Sequence, residues 1–211
     1  NKNHELMING DSINSGSFFE LFWKGDCGNG YPGRQDILIL DDPKGNDNYY
    51  IIHKSVEFLG PPSNDSFIKH LSYSYVDMTL DNGNGAVTEK NVPFFESRFL
   101  WSYLTAIKHA NKKDWWIIQP KDSEEGIFYS ILLSATGFEV IDSSSFIPST
   151  FTEFSGSSGD AKFSPDGTKY VYYNMYDDLN VFDFDRSGFG DNGITGNADF
   201  NNLTISDCFM S

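Results

Sequence analysis

Residues 104–120 read LTAIKHANKKDWWIIQP, and the parsing of this stretch decides the fold. His109, Asn111 and Asp114 stand close together beside Trp115 and Trp116. One reading is a catalytic cluster at the edge of an aromatic platform. The other is a β-hairpin: a short strand, a polar turn, an aromatic strand. Catalysis would need a nucleophile and an oriented third group nearby, and the stretch itself offers neither. In the hairpin, His109 ends one strand and Asp114 begins the next, both able to bond across the turn, while Trp115 and Trp116 point to opposite faces of a sheet.

The hairpin reading is preferred because the same plan recurs. DILILDDPKGNDNYYIIHKSVEF (36–58) and AKFSPDGTKYVYYNMY (161–176) each run strand, turn, aromatic strand, with Asp, Asn, Gly or Pro in the turn. A third strand follows each hairpin: LSYSYVDMTL (71–80), GIFYSILLSATG (126–137) and LNVFDFDRSG (179–188). A fourth follows that: GAVTEKNVPFF (85–95), FEVIDSSSF (138–146) and GITGNADF (193–200). Tyr50, Trp116 and Val171 are taken as equivalent, at a spacing longer than a compact repeat of about 40–50 residues. The excess is assigned to loops such as LGPPSNDSFIKH (59–70). FESRFLWSYLTAIKHA (95–110) puts Phe95, Phe99 and Tyr103 on one helical face, but its end aligns with the first strand of the neighbouring repeats, so strand is preferred.

Repeated four-stranded antiparallel units predict an all-β chain built of β-propeller blades. The expected division is 1–33 as the remainder of a preceding blade, 34–96, 97–150 and 151–202 as blades, and 203–211 as the start of another. A closed ring takes about four to eight blades, so the chain is expected to be an incomplete portion of a roughly seven-bladed propeller. Its start at Asn1 points the same way, to a processed or truncated polypeptide.

Composition agrees. Aromatics make up 16% of the 211 residues, with 19 Phe and 11 Tyr, the side chains that suit a pleated surface. Thirty acidic against 15 basic residues give a formal charge of -15, a surface that repels phosphate backbones and argues against a nucleic-acid partner. No apolar run is long enough to span a bilayer. Cys27 and Cys208 form no metal-binding spacing, and either a disulfide or two free thiols fits them.

GNGYPGRQDILIL, VDMTLDNGNGAVTEKNVPF, LTAIKHANKKDWWII, FSPDGTKYVYYN and FDFDRSGFGDNG together resemble the secreted WD40-like β-propellers of Bacteroidota. The resemblance runs over nearly the whole chain in order and spacing. It implies a propeller exported to the cell surface or beyond, often as type IX secretion cargo with a C-terminal sorting domain, and it implies no reaction. Ser187 stands where many relatives carry Cys, which weakens any disulfide inferred from them.

Several residues are candidates for binding. DFDRSGFGDNG spaces Asp183, Asp185, Ser187 and Asp191 somewhat like an EF-hand loop, although Ile194 stands where the bidentate Glu would be, so calcium is the one cofactor considered. A strand entering an Asp/Gly turn explains the same residues. Trp23 lies outside the blade pattern and is the candidate glycan platform. FSPDGTKY departs from the sialidase Asp box, because Gly167 directly follows Asp166 and Tyr170 takes the aromatic place. Arg34, Arg98 and Arg186 match in number the arginines that clamp a sialidase substrate's carboxylate. His4, His53 and His70 show no metal spacing. Ser12, Ser66 and Ser143 fall in D-[ST]-x triplets resembling Bacteroidota O-glycosylation acceptors, and Asn64 and Asn202 match N-x-[ST].

The functional expectation is a non-enzymatic extracellular or cell-surface module that binds or scaffolds other surface proteins or glycans, within a surface, secretion or gliding assembly. The alternative is a propeller hydrolase acting on glycans or peptides, which would need acid and base carboxylates gathered at one site.

Overall fold

A computed structural model describes residues 3–13, 16–17, 35–63, 65–123, 127–145, 159–174, 178–187 and 202–204. Apart from a 3-10 turn at Asp81–Gly83, the described residues are all-β, and their strands form three four-stranded antiparallel sheets. The first sheet holds β1 (Ile37–Asp41), β2 (Tyr49–Phe58), β3 (Ser66–Asp77) and β4 (Ala86–Phe99), in that order. The second holds β5 (Thr105–Lys108), β6 (Trp115–Pro120), β7 (Ile127–Ser134) and β8 (Gly137–Ser145). The third holds β9 (Gly159–Phe163), β10 (Lys169–Asn174), β11 (Asp178–Asp183) and β12 (Asn202–Thr204). Each sheet is a simple meander, so the three repeats share one topology. The segment with helical spacing is strand through Phe99 and strand again from Thr105. The fourth strand of the third sheet is Asn202–Thr204, at the edge of the stretch expected to open a further blade. GITGNADF, expected in that place, lies outside the described residues.

The registers make the repeat exact at residue level. In each first hairpin the residue after strand one donates its N–H to a carbonyl at the start of the second arm: Asp42 to Asn48 and His109 to Asp114, each just before strand two, and Ser164 to Lys169, its first residue, all at 2.9 Å. Counting from these closing pairs, Leu40 faces Tyr50, Ile107 faces Trp116 and Lys162 faces Val171. The three positions read as equivalent in the sequence therefore occupy the same place in their sheets.

The chain divides into two compact units. In the unit of the first sheet, the end of β3 alternates, with Ser72, Ser74 and Val76 buried and Tyr73 and Tyr75 half-buried between them. β2 is bent by a bulge at Ser55/Val56. Lys54, next to that bulge, is fully buried and ion-pairs with the equally buried Asp36 at 3.1 Å.

In the other unit the second and third sheets pack face to face around one aromatic core. Trp116, Ile118 and Phe128 come from the second sheet, and Ala161, Tyr170, Tyr172 and Phe182 from the third. Phe128 meets two of the rings edge to face, 5.6 Å from Tyr172 at 87° and 6.1 Å from Tyr170 at 83°, and other rings pack tilted against one another. Such contacts add to the burial of large apolar area. The first strands, β5 and β9, also lie against each other. Alternation in β10 decides which face does this: Tyr170 and Tyr172 enter the core, while Val171 and Tyr173 take the opposite face.

Candidate functional site

Three chemistry-bearing segments meet at one end of the paired sheets: the turn 109–114, the turn 164–169, and 184–187 after β11. The Arg186 carbonyl accepts hydrogen bonds from Trp116 Nε1 and from the Ala110 amide, each at 3.0 Å. The Phe184 amide donates to the Thr168 carbonyl at 2.8 Å. The His109 ring lies 5.7 Å from that of Trp116, and Lys108 Nζ sits 4.1 Å over Trp115.

Within this end, His109, Asn111 and Asp114 build a turn. Asn111 Oδ1 accepts the amides of Lys113 and Asp114 at 2.9 and 3.0 Å, and its Nδ2 donates to Asp114 Oδ2 at 2.6 Å. The His109 imidazole accepts the Asn111 amide through Nδ1 at 3.0 Å. The imidazole is thus an acceptor inside its own loop and not a base aimed at a nucleophile. The turn 164–169 repeats the device with other side chains. Asp166 Oδ1 accepts Ser164 Oγ at 2.6 Å, the Thr168 amide at 3.1 Å and Thr168 Oγ1 at 3.0 Å. Those donors, the Ser164 hydroxyl foremost, hold its carboxyl down at about 2.

The sequence candidates fare differently. Asp183 is ion-paired with Lys169, and Asp185 Oδ1 accepts the amide and hydroxyl of Ser187 at 2.8 and 2.7 Å. The Ser187 bonds also keep the Asp185 carboxyl below the usual carboxylate range. Asp191, the fourth member of that set, lies outside the described residues, as do Trp23, Arg34, Asn64, Cys27 and Cys208. Among the described residues no three His, Cys, Asp or Glu side chains gather to hold a metal ion. Arg98 pairs with Asp65 at 3.1 Å and lies over the Phe67 ring, while Arg186 contributes its backbone carbonyl to the loop junction. Ser12 is exposed in a turn, Ser66 is half-buried at the start of β3, and Ser143 is on β8.

The first sheet carries a constellation that sequence reading missed. Ser55 Oγ lies 3.2 Å from His70 Nδ1, and His70 Nε2 lies 3.4 Å from Glu96 Oε2. The three residues sit on β2, β3 and β4, so only strand register unites them. The connectivity is that of a hydroxyl–imidazole–carboxylate relay, yet its chemistry is structural. Ser55 is buried beside the bulge, and its Oγ accepts the His70 amide at 3.0 Å, which satisfies a backbone group at the irregularity. A nucleophile must be reachable by substrate. His53, buried on β2, lies 3.3 Å from Ser74 Oγ in a second hydroxyl–imidazole pair. Burial pushes this imidazole down to about 4, so it is neutral at physiological pH.

No known family matches this chain, and no curated protein or solved structure matches it significantly. No helix among the described residues is long and apolar enough to cross a membrane.

Proposed function

We propose that the sheets are blades of a β-propeller of the secreted WD40-like kind, and that the protein is a non-enzymatic binding or scaffolding module at the cell surface. The observation that carries this reading is the way its polar side chains are used. At the loop end of the paired sheets, Asn111, Asp114, Asp166 and Asp185 are all engaged in holding turns. A rigid sheet scaffold with internally braced loops suits recognition, where a fixed surface lowers the entropy lost on binding. Three meanders of one topology, two of them packed face to face with first strands adjacent, fit a blade architecture. Partners on this reading are surface proteins or glycans.

The test is a glycan array and a pull-down against outer-surface proteins, run beside a hydrolysis screen on glycan and peptide libraries. Saturable binding without turnover is the expected result. Turnover abolished by changing one carboxylate would replace this reading with a hydrolase.

A further inference from the structure

β4 is the outer strand of the first sheet, and the chain ahead of that sheet runs along its outer edge. Ile8 makes a parallel bridge with Ala86, and the Val87 amide donates to the Ile8 carbonyl at 3.0 Å. The ladder stops there. The Gly10 amide turns back to the Met7 carbonyl at 2.8 Å, and Asn9 and Ser12 take φ of +56° and +53°, outside the strand region. From that point side chains hold the segment. Asn9 Nδ2 donates to the Val87 carbonyl at 2.9 Å. Lys90 Nζ donates to the Asp11 carbonyl at 2.9 Å and to its carboxylate at 3.3 Å, and Asn91 Nδ2 donates to the Ser12 carbonyl at 3.0 Å.

The apolar share of this contact is small. Met7 is half-buried over Gly85, where a Cβ would lie 3.1 Å from Met7 Cε and 2.7 Å from Met78 Sδ. Its neighbours Leu6 and Ile8 are 73% and 56% exposed. The next strand in, β3, is anchored instead by Ile68, Leu71 and Val76, all buried. Hydrogen bonds at exposed positions contribute little net stability, and ordering a short segment costs conformational entropy. Segment and sheet therefore differ widely in the free energy needed to open them. What the segment shields is the Val87 N–H and C=O, both turned to the edge of the sheet and both bonded to it.

We propose that residues 7–12 form a releasable strap. It lifts from β4 as a unit while the first sheet stays folded, and in lifting it bares the Val87 backbone groups on the Ala86–Asn91 edge. Asn9 and Lys90 are its clasps, each reaching across with its side chain to a backbone carbonyl on the other side. The strap lies within the unit of the first sheet, and its release does not depend on the propeller reading.

Amide hydrogen exchange of the full chain tests this, read at Val87 and at the protected amides of β3. In the wild type Val87 is expected to be at least about tenfold less protected than those amides. Asn9→Ala and Lys90→Met each remove a clasp. Each is expected to speed exchange at Val87 by about threefold to tenfold and to leave the β3 rates unchanged. Circular dichroism checks that both variants keep their strands. Exchange of Val87 only in step with β3 overturns the proposal, because strap and sheet would then open as one. So do substitutions that speed Val87 and β3 alike, or that leave Val87 unchanged.

Discussion

At the scale of residues, the three first hairpins are variations on a single backbone. Each begins with a turn closed from the fourth residue to the first: Gly45 to Asp42, Lys112 to His109, Gly167 to Ser164. The closing residue has positive φ in all three, +71°, +63° and +71°. Glycine holds that place twice, and Lys112 holds it once against the steric preference of an L residue. Lys112→Gly is therefore expected to stabilise the chain, by up to about 1 kcal/mol in chemical denaturation. The second residue is Pro43, Ala110 and Pro165. Copying proline into the middle turn should fail, because the Ala110 amide donates to the Arg186 carbonyl. Ala110→Pro is expected to cost about 1–2 kcal/mol, and an unchanged midpoint would contradict the importance of that bond. At Gly167 the φ and the space agree. A Cβ there would run into the Arg186 side chain and Ile107 Cδ1, so Gly167→Ala should lower stability by more than about 1 kcal/mol.

At the scale of elements, the informative contrast is between aromatic packing and the buried charge in the first sheet. Lys54 lies wholly inside, where burial pulls its ammonium down to about 8 while the Asp36 carboxylate pulls the other way. Asp36 immediately precedes β1, so the pair continues the β1–β2 ladder by one residue. Desolvating two charges offsets most of what their attraction contributes, but removing one leaves the other stranded. Asp36→Ala is expected to cost about 3–5 kcal/mol, whereas Asp36→Leu combined with Lys54→Met should recover most of that loss. Urea melts of the single and double variants give the comparison, and an equally unstable double variant would mean that the pair does more than hold an edge. β2 reads HKSV at 53–56 where an aromatic strand was expected to continue. His53, Lys54 and Ser55 are nevertheless buried, and their polar side chains carry no sequence sign of it.

At the scale of the whole molecule, acid should act first through His53. Its folded pKa, about 4, lies below the ordinary value of 6.5, so the unfolded chain takes up the proton more readily. The stability associated with a neutral His53 is thus complete above about pH 6.5 and is lost as the pH falls from there toward 4. The expected loss is roughly 1–3 kcal/mol over that window, and His53→Gln should flatten it in melts taken from pH 7 to 4. A profile unchanged by the substitution would move the acid sensitivity elsewhere. Depressed carboxylates act lower down: Asp166, held at about 2, gives up its turn bonds only as the pH falls through that value.

Sequence alone determined the β class, the first hairpins and the repeat, but it put 66–70 in a loop where β3 already runs and did not find Asn202–Thr204 as the third sheet's fourth strand. The parts it determined depend on local chemistry: turn residues at fixed places, aromatic and β-branched runs, and periodicity. It also supported reading His109, Asn111 and Asp114 as a turn, because DDPKGNDN and SPDGTK follow the same plan, and the three share the same closing backbone bonds although the first turn is one residue longer. What it could not hold was anything made by register or by the packing of one sheet on another. Ser55, His70 and Glu96 meet only because three strands align, Asp36 and Lys54 pair across two strands, and the Arg186 carbonyl ties the 109–114 hairpin to a segment far along the chain. The physical reason is one of range: a turn is settled by its neighbours within a few bonds, whereas which face of a strand is buried, and against what, is settled only when the sheets come together.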